Sequence, residues 1–165
     1  MEIVKAGLED ISVIQEIADR TWKESFRSLL PQDQISYMLQ LMYSTEVISL
    51  QIEGKNQVYL LISDEDQFAG FASYEADCDE NNHAKLHKLF ILPELQRSSA
   101  GTLLLEEVIR QAKEVKNDGL LLNVNRQSNA VEFYLDKGFT IEEEDDISIG
   151  NGYTLRDYIM RLDLT

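Results

Sequence analysis

Leu89-Phe90-Ile91-Leu92-Pro93-Glu94-Leu95-Gln96-Arg97-Ser98-Ser99-Ala100-Gly101 is the stretch that decides the architecture of this chain. Lys85 to Leu92 reads as a strand, and Pro93 ends it. A short loop of small residues follows. From Ala100 to Lys116 the residues Leu104, Leu105, Val108, Ile109, Ala112 and Val115 fall on one side of a helix. The first amides of a helix have no internal acceptor, and with the helix dipole they form an anion site. Small residues from Ser98 to Gly101 let a pyrophosphate approach the backbone, and Arg97 adds positive charge. The junction is not a P-loop, because no Gly-Lys-Ser or Gly-Lys-Thr follows. It is not a dinucleotide fingerprint either, because the three-glycine spacing is absent.

Beyond this helix, Asn117-Asp118-Gly119 reads as its stop and Leu120 to Val124 as a buried strand. Ser128 to Lys137 reads as a short helix closed by Gly138. Phe139 to Ile149 and Tyr153 to Leu164 read as a final pair of strands. Before Lys85, Asp77 to Asn82 is a polar loop. Val58 to Ile62 and Phe68 to Tyr74 read as a hairpin turning at Asp64-Glu65-Asp66. Glu2 to Ala6 reads as a first strand and Asp10 to Phe26 as a helix, with Ile11, Ile14, Ile17, Ala18 and Trp22 at helical spacing. Pro31 suits the first turn of a second helix through Ile35, Met38, Leu39 and Met42. A third helical piece covers Thr45 to Ile52 and stops near Gly54. The order predicts an α/β domain, antiparallel in front with a βαβ unit behind.

The bulk properties narrow the function classes. With 165 residues, the chain fits one domain, 1–165, with a substantial core. No apolar run approaches the ~20 residues that span a bilayer, so no membrane role is expected. Cys78 is the only cysteine, which excludes an internal disulfide and fits a cytoplasmic location. Thirty acidic residues against 15 basic ones give a net charge of −15, which argues against nucleic acid as a partner. An acidic surface attracts cations such as amines, although it also serves plain solubility. His83, His87 and one cysteine give no metal-ligand spacing. The run Glu142 to Asp146 reads as a solvated edge.

The segment from Leu86 to Phe139 resembles the GNAT family of N-acetyltransferases. The family's cofactor motif is Gln/Arg-x-x-Gly-x-Gly/Ala; here Gln96 matches its first position and Gly101 its last, while Ser99 replaces the first glycine. Downstream, Asn129-Ala130 followed by Phe133-Tyr134 and Gly138-Phe139 is similar to the second family signature. The last strands resemble those of the branch that acetylates polyamines and small amines. The resemblance implies the GNAT fold, a mixed, mostly antiparallel sheet of about seven strands flanked by helices. It also implies acetyl-CoA as co-substrate, no metal, a small-molecule amine as acceptor, and a homodimer formed through terminal strands.

Site residues follow from the same resemblance. Gln96, Arg97, Ser98, Ser99, Ala100, Gly101 and Thr102 would hold the pyrophosphate. Backbone groups of Leu89, Phe90 and Ile91 would hold the pantetheine arm, with the Ile91 amide as oxyanion donor. Asn129 would help to fix the cofactor, and Tyr134 would protonate the leaving thiolate. His87 shares the parity of Leu89 and Ile91. It reads equally as the general base and as a solvated residue between Lys85 and Lys88. Glu24 and Glu75 are the alternative bases. Trp22, Phe26 and Tyr37 border the acceptor pocket, although Trp22 also reads as core. A peptide or protein N-acetyltransferase and a non-catalytic CoA-binding module are the other two functions this pattern admits.

Overall fold

Strands β2 (Val58–Asp64) and β3 (Gln67–Glu75) bury successive side chains, from Tyr59 to Ile62 and from Ala69 to Tyr74. Such strands must be covered on both faces. In the computed structural model, which describes residues 1–54 and 56–165, helices supply that cover. The sheet runs β1-β2-β3-β4-β5-β7-β6, with β1 (Glu2–Lys5) and β6 (Thr140–Gly150) at its edges. All neighbours pair antiparallel except β4 (His83–Ile91) with β5 (Gly119–Asn125), joined through α4 (Ala100–Glu114). The seven-stranded mixed sheet expected from the sequence is therefore present.

One face of the sheet packs against α4 and α5 (Ala130–Asp136), where Leu60, Ile62, Leu86 and Leu122 meet Leu104, Leu105 and Val108. The other packs against α1 (Ile11–Ser25), α2 (Gln32–Tyr43) and α3 (Thr45–Glu53), where Leu61 and Phe71 meet Ile14, Met38 and Ile48. Full burial of one such aliphatic side chain contributes roughly 1.5–3 kcal/mol. Pro31 stands just outside α2 as its N-cap rather than in its first turn. Ser44 begins α3, its hydroxyl accepting from the Val47 amide at 3.2 Å.

The end of α4 departs from the sequence expectation. Gly119 does not stop the helix. The helix ends at Glu114, and Lys116 takes the left-handed backbone at φ +65°. The Asn117 amide then closes on the Ala112 carbonyl at 3.0 Å. Gly119 is the first residue of β5, where a side chain would meet the Arg161 guanidinium at 2.7 Å. Asn117 is buried and donates to Asp77 and Asn82, which ties the 77–82 loop to the end of the helix. Gly138 does close α5, at φ +99°.

The acidic run on β6 lies on an edge strand, and Arg126 bonds Asp146 at 2.5 Å beside Glu144. Asp145 alone turns inward and accepts from Asn123 at 3.3 Å. Among the described residues no helix is long and apolar enough to cross a membrane.

Gly70 has a packing role. It pairs with Ile91, and an added methyl would stand 2.5 Å from the Phe90 carbonyl and 2.4 Å from the Ile91 side chain. Gly70→Ala is expected to cost about 1–3 kcal/mol by overpacking, read as a lower denaturant midpoint with an unchanged slope.

Candidate active site

The site forms where β4 and β5 separate. They pair only from His83 with Gly119 to Leu86 with Leu122. Both strands then continue, β4 to Ile91 and β5 to Asn125, with no ladder between them. The separation begins at a β-bulge. Ser73 opposes Lys88 and Tyr74 opposes Leu86, so His87 is the extra residue on β4. A bulge bends its strand and raises the local twist, and both effects open the gap.

A cavity of about 280 Å³ passes through this gap. On the α4–α5 face its wall includes Leu89, Ser128, Ala130 and Tyr134. On the α1–α2 face it includes Trp22, Phe26, Met38 and Phe90. The opening thus joins the two sides of the sheet, which suits a reaction between two molecules arriving from opposite sides.

The bulge also corrects the parity read from the sequence. Leu89 and Ile91 pack on the α4 face, whereas His87 turns to the other face and bonds Glu75, with Nε2 and Oε1 2.9 Å apart. A carboxylate only accepts, so Nε2 carries the proton and Nδ1 is the basic nitrogen. Burial lowers the His87 pKa below its usual 6.5; the Glu75 bond opposes this, and Lys85 and Lys88 assist it. The imidazole is therefore neutral at pH 7. Burial raises the Tyr134 pKa, so its hydroxyl stays protonated there. Tyr134 is held edge-on between Phe133 and Phe139.

At the start of α4, the Leu103 amide is the first to bond back, to the Ser99 carbonyl at 2.9 Å. The Gly101 and Thr102 amides precede that bond and stand as open donors. The Ser98 hydroxyl donates to the Leu95 carbonyl at 2.6 Å and receives the Ala100 amide at 3.3 Å. Ala100 is fully buried and Arg97 is exposed. Gln96 donates to the Ile91 carbonyl at 3.1 Å, so it fastens the loop to the end of β4. Ser99 has φ −78°, an ordinary backbone for any residue, so the glycine it replaces is not needed for conformation. A methyl on Gly101 would find only ordinary contacts of 3.7–3.9 Å with Ile91 and Phe133.

Glu75, Ile91 and the loop from Gln96 to Thr102 border the gap but stand outside the cavity lining, and Glu24, Tyr37 and Asn129 are not brought to it either. Glu24 is exposed and pairs with Arg27 at 3.6 Å. It lies on the far side of α1 from Trp22 and Phe26, which are four residues apart and share the buried face. Tyr37 donates to the Ile149 carbonyl at 2.7 Å and packs on Tyr153, outside the lining. Asn129 is exposed at the N-cap of α5 and its side chain caps nothing. The Ser128 hydroxyl takes the Ala130 amide instead, at 3.1 Å. The asparagines that line the cavity are Asn123 and Asn125.

Two charged residues in the wall had no distinct sequence signal. Asp157 on β7 (Tyr153–Asp163) is buried, and it is the one carboxylate among the described lining residues. Burial raises its pKa, and Asn123 opposes the shift. Lys88, between His87 and the apolar run, is only 5% exposed. Its Nζ donates to the Tyr59 hydroxyl and to Gln51 Oε1 and lies 4.9–5.0 Å from the Tyr43 and Tyr59 ring centres. Among the described residues no carboxylate pairs with it, and burial pulls its pKa down to about 8. Alternation could have placed Asp157 on the inner side of its strand. Lys88 depends on the bulge, which a sequence pattern does not reveal.

A strand gap, open amides at a helix start, and a cavity joining two faces define a transferase that aligns two substrates across a sheet. Residues 28–162 match the family model "Acetyltransferase (GNAT) domain", and the chain belongs to this family of acyl-CoA-dependent acetyltransferases. It is 27% identical over 153 residues to a spermidine N(1)-acetyltransferase of Thermoplasma acidophilum, covering 88% of this chain and 91% of the relative. Its fold matches that of the PaiA N-acetyltransferase of Thermoplasma acidophilum, solved with coenzyme A. The TM-score is 0.83 at 24% identity over 98% of both chains. The fold also matches the ribosomal-protein-S18-alanine N-acetyltransferase of Escherichia coli, with TM-score 0.74 and 19% identity over 99% of this chain and 94% of the other.

Lys88→Met tests the cost of the buried charge. The variant is expected to be more stable at pH 7 by about 1–3 kcal/mol, since Tyr59 and Gln51 keep their mutual bond of 2.6 Å. Between pH 8 and 10.5 the unfolded lysine holds its proton more firmly than the folded one. The unaltered protein therefore gains stability as pH rises through that window, and the advantage of the variant shrinks. Denaturant melts across this pH range read the difference.

Proposed function

We propose that this chain, acting as one domain, moves the acetyl group of acetyl-CoA to a primary amine of a small molecule by direct attack. The observation that carries the reading is the cavity crossing the sheet at the β4–β5 gap, with Tyr134 on one side and His87 with Glu75 on the other. The neutral amine nitrogen bonds to the thioester carbonyl carbon and then gives up its surplus proton, the carbon–sulfur bond breaks, and the sulfur leaves with a proton, so that the products are the amide and the free thiol. Alignment of the two reactants alone contributes several kcal/mol.

The chain's own groups divide this work. The open amides of Gly101 and Thr102 receive the pyrophosphate, with Ser99 at the helix start and Arg97 adding charge from solvent. The β4 backbone from Leu89 to Ile91 lies along the gap, where an extended pantetheine chain would take the place of the missing strand partner. The Ile91 amide is the oxyanion donor in this reading. His87 Nδ1 takes the proton from the incoming ammonium, and Glu75 holds the ring in the required tautomer. Tyr134 gives its proton to the departing sulfur. Its raised pKa keeps that proton available at every physiological pH.

The amine class draws support from the spermidine-acetylating relative and from the net charge of −15, which attracts cations. Thiol release from acetyl-CoA across a panel of amines, amino acids and peptides is the direct test. Release with peptides alone would favour a protein N-acetyltransferase. Saturating acetyl-CoA that raises Tm without any release would favour a binding module.

Tyr134→Phe is expected to lower kcat at least tenfold with CoA affinity nearly unchanged, and an unchanged kcat would remove the tyrosine as acid. With saturating amine, kcat should fall on the acid side with an apparent pKa below 6.5. In His87→Gln that limb should vanish along with most of the rate. A limb that persists in the variant would assign the base elsewhere.

A further inference from the structure

The wall of the cavity on the α1–α2 face does not resemble a polyamine site. Beyond Trp22, Phe26 and Met38 it is closed by Leu30, Ile147 and Leu155, all apolar. A polyamine carries several ammonium groups and needs a carboxylate or a chain of waters for each. Here the lining offers one carboxylate, Asp157, and two amines of its own, Lys85 and Lys88. Lys88 is buried and unpaired with any carboxylate among the described residues. It stands beside His87 and Phe90 on the same strand, on the acceptor face. A fixed positive charge in a water-poor wall repels a second cation far more strongly than one in bulk water.

Asp157 is placed to hold a single ammonium. It lies on the inner face of β7, paired in register with Asn125 across the β5 edge of the gap. On its other side Asp145 stands opposite it in register. Asn123, whose amide donates to Asp145, lies beside it, Asp145 adds negative charge, and Arg126 and Lys85 moderate that charge. Arg126 is held away by Asp146, Glu144 and the Asp157 carbonyl. The carboxylate therefore keeps capacity for a ligand on its cavity side.

We infer that the acceptor is a singly charged primary amine on an apolar body. Its ammonium is drawn to Asp157, its body is packed among Trp22, Phe26, Leu30, Met38, Ile147 and Leu155, and Lys88 turns polyamines away. This inference rests on the amine-acetylating reading above. The acidic exterior gathers cations of every kind, and selection takes place inside the cavity.

The test separates binding from transfer. Protein saturated with CoA, which has no acyl group to give, is titrated calorimetrically at pH 7.5 with 2-phenylethylamine and with spermidine. Phenylethylamine is expected to bind at least tenfold more tightly. Asp157→Asn should weaken phenylethylamine at least tenfold while CoA affinity holds. Lys88→Met should narrow the gap between the two amines by improving spermidine. Lys88→Gln, which keeps a polar partner for Tyr59, should do the same and guards against a packing effect. Spermidine binding as tightly as phenylethylamine to the unaltered protein would overturn the inference, as would an unchanged ratio in both Lys88 variants. Neither result would touch the acetyl-transfer reading, which fails separately if acetyl-CoA releases no thiol with any amine.

Discussion

The separation of β4 from β5 is the constraint on which the site depends. A continuous ladder there would satisfy the backbone groups of both strands and close the sheet. Instead, one extra residue at His87 shifts the β3–β4 register, and β4 turns away after four paired positions. The structure supports an incomplete sheet because everything around the gap is anchored. β5 is paired along its whole length with β7. The far end of β4 is tied down by Gln96 through the Ile91 carbonyl and by the Leu92 amide on the Ala69 carbonyl. Arg20 reaches from α1 to Glu94 in the following turn with a two-pronged ion pair. The open edge is therefore a rigid one, as alignment of two reactants requires.

The same bulge organises the electrostatics. By moving His87 and Lys88 together onto the α1–α2 face, it sets a neutral imidazole and a buried cation side by side. Burial favours the uncharged form of each, and the Lys88 charge further disfavours charging His87. Glu75 opposes this for His87 only, through a direct hydrogen bond. Across the gap Asp157 is the counterweight, and Tyr134 on the opposite face is held protonated. The wall thus carries a protonated phenol on α5, a neutral imidazole and an ammonium on β4, and a carboxylate on β7. A net charge of −15 says little about this interior. The bulk charge acts over the surface, and the buried groups act over a few ångströms.

Much of the architecture was legible in the sequence because it rests on local rules. The continuous apolar run of β2, the period near 3.6 in α1 and α4, and the proline after β4 are each local signals tied to burial of neighbouring residues. Errors arose where a local signal was out-competed. Gly119 looked like a helix stop, but Lys116 adopts the left-handed turn and Gly119 makes room for Arg161. Asn129 was expected to help fix the cofactor, but it faces solvent, and the Ser128 hydroxyl takes the first free amide of the helix. Glu24 lay within the right helix on the wrong side of it, a distinction that the positions of Trp22 and Phe26 already contained.

The sequence by itself determined the order of elements, the helix start at Ser99 to Thr102, and the motif residues that place the chain in its family. These depend on spacing along the chain. Only the tertiary structure decided which side chains face one another across the gap. One bulged residue reverses the facing of every position after it, and no periodicity announces where that happens. His87 meeting Glu75, Lys88 buried among tyrosines, and Asp157 alone in the wall are consequences of long-range register, and register is fixed by packing between strands remote in sequence.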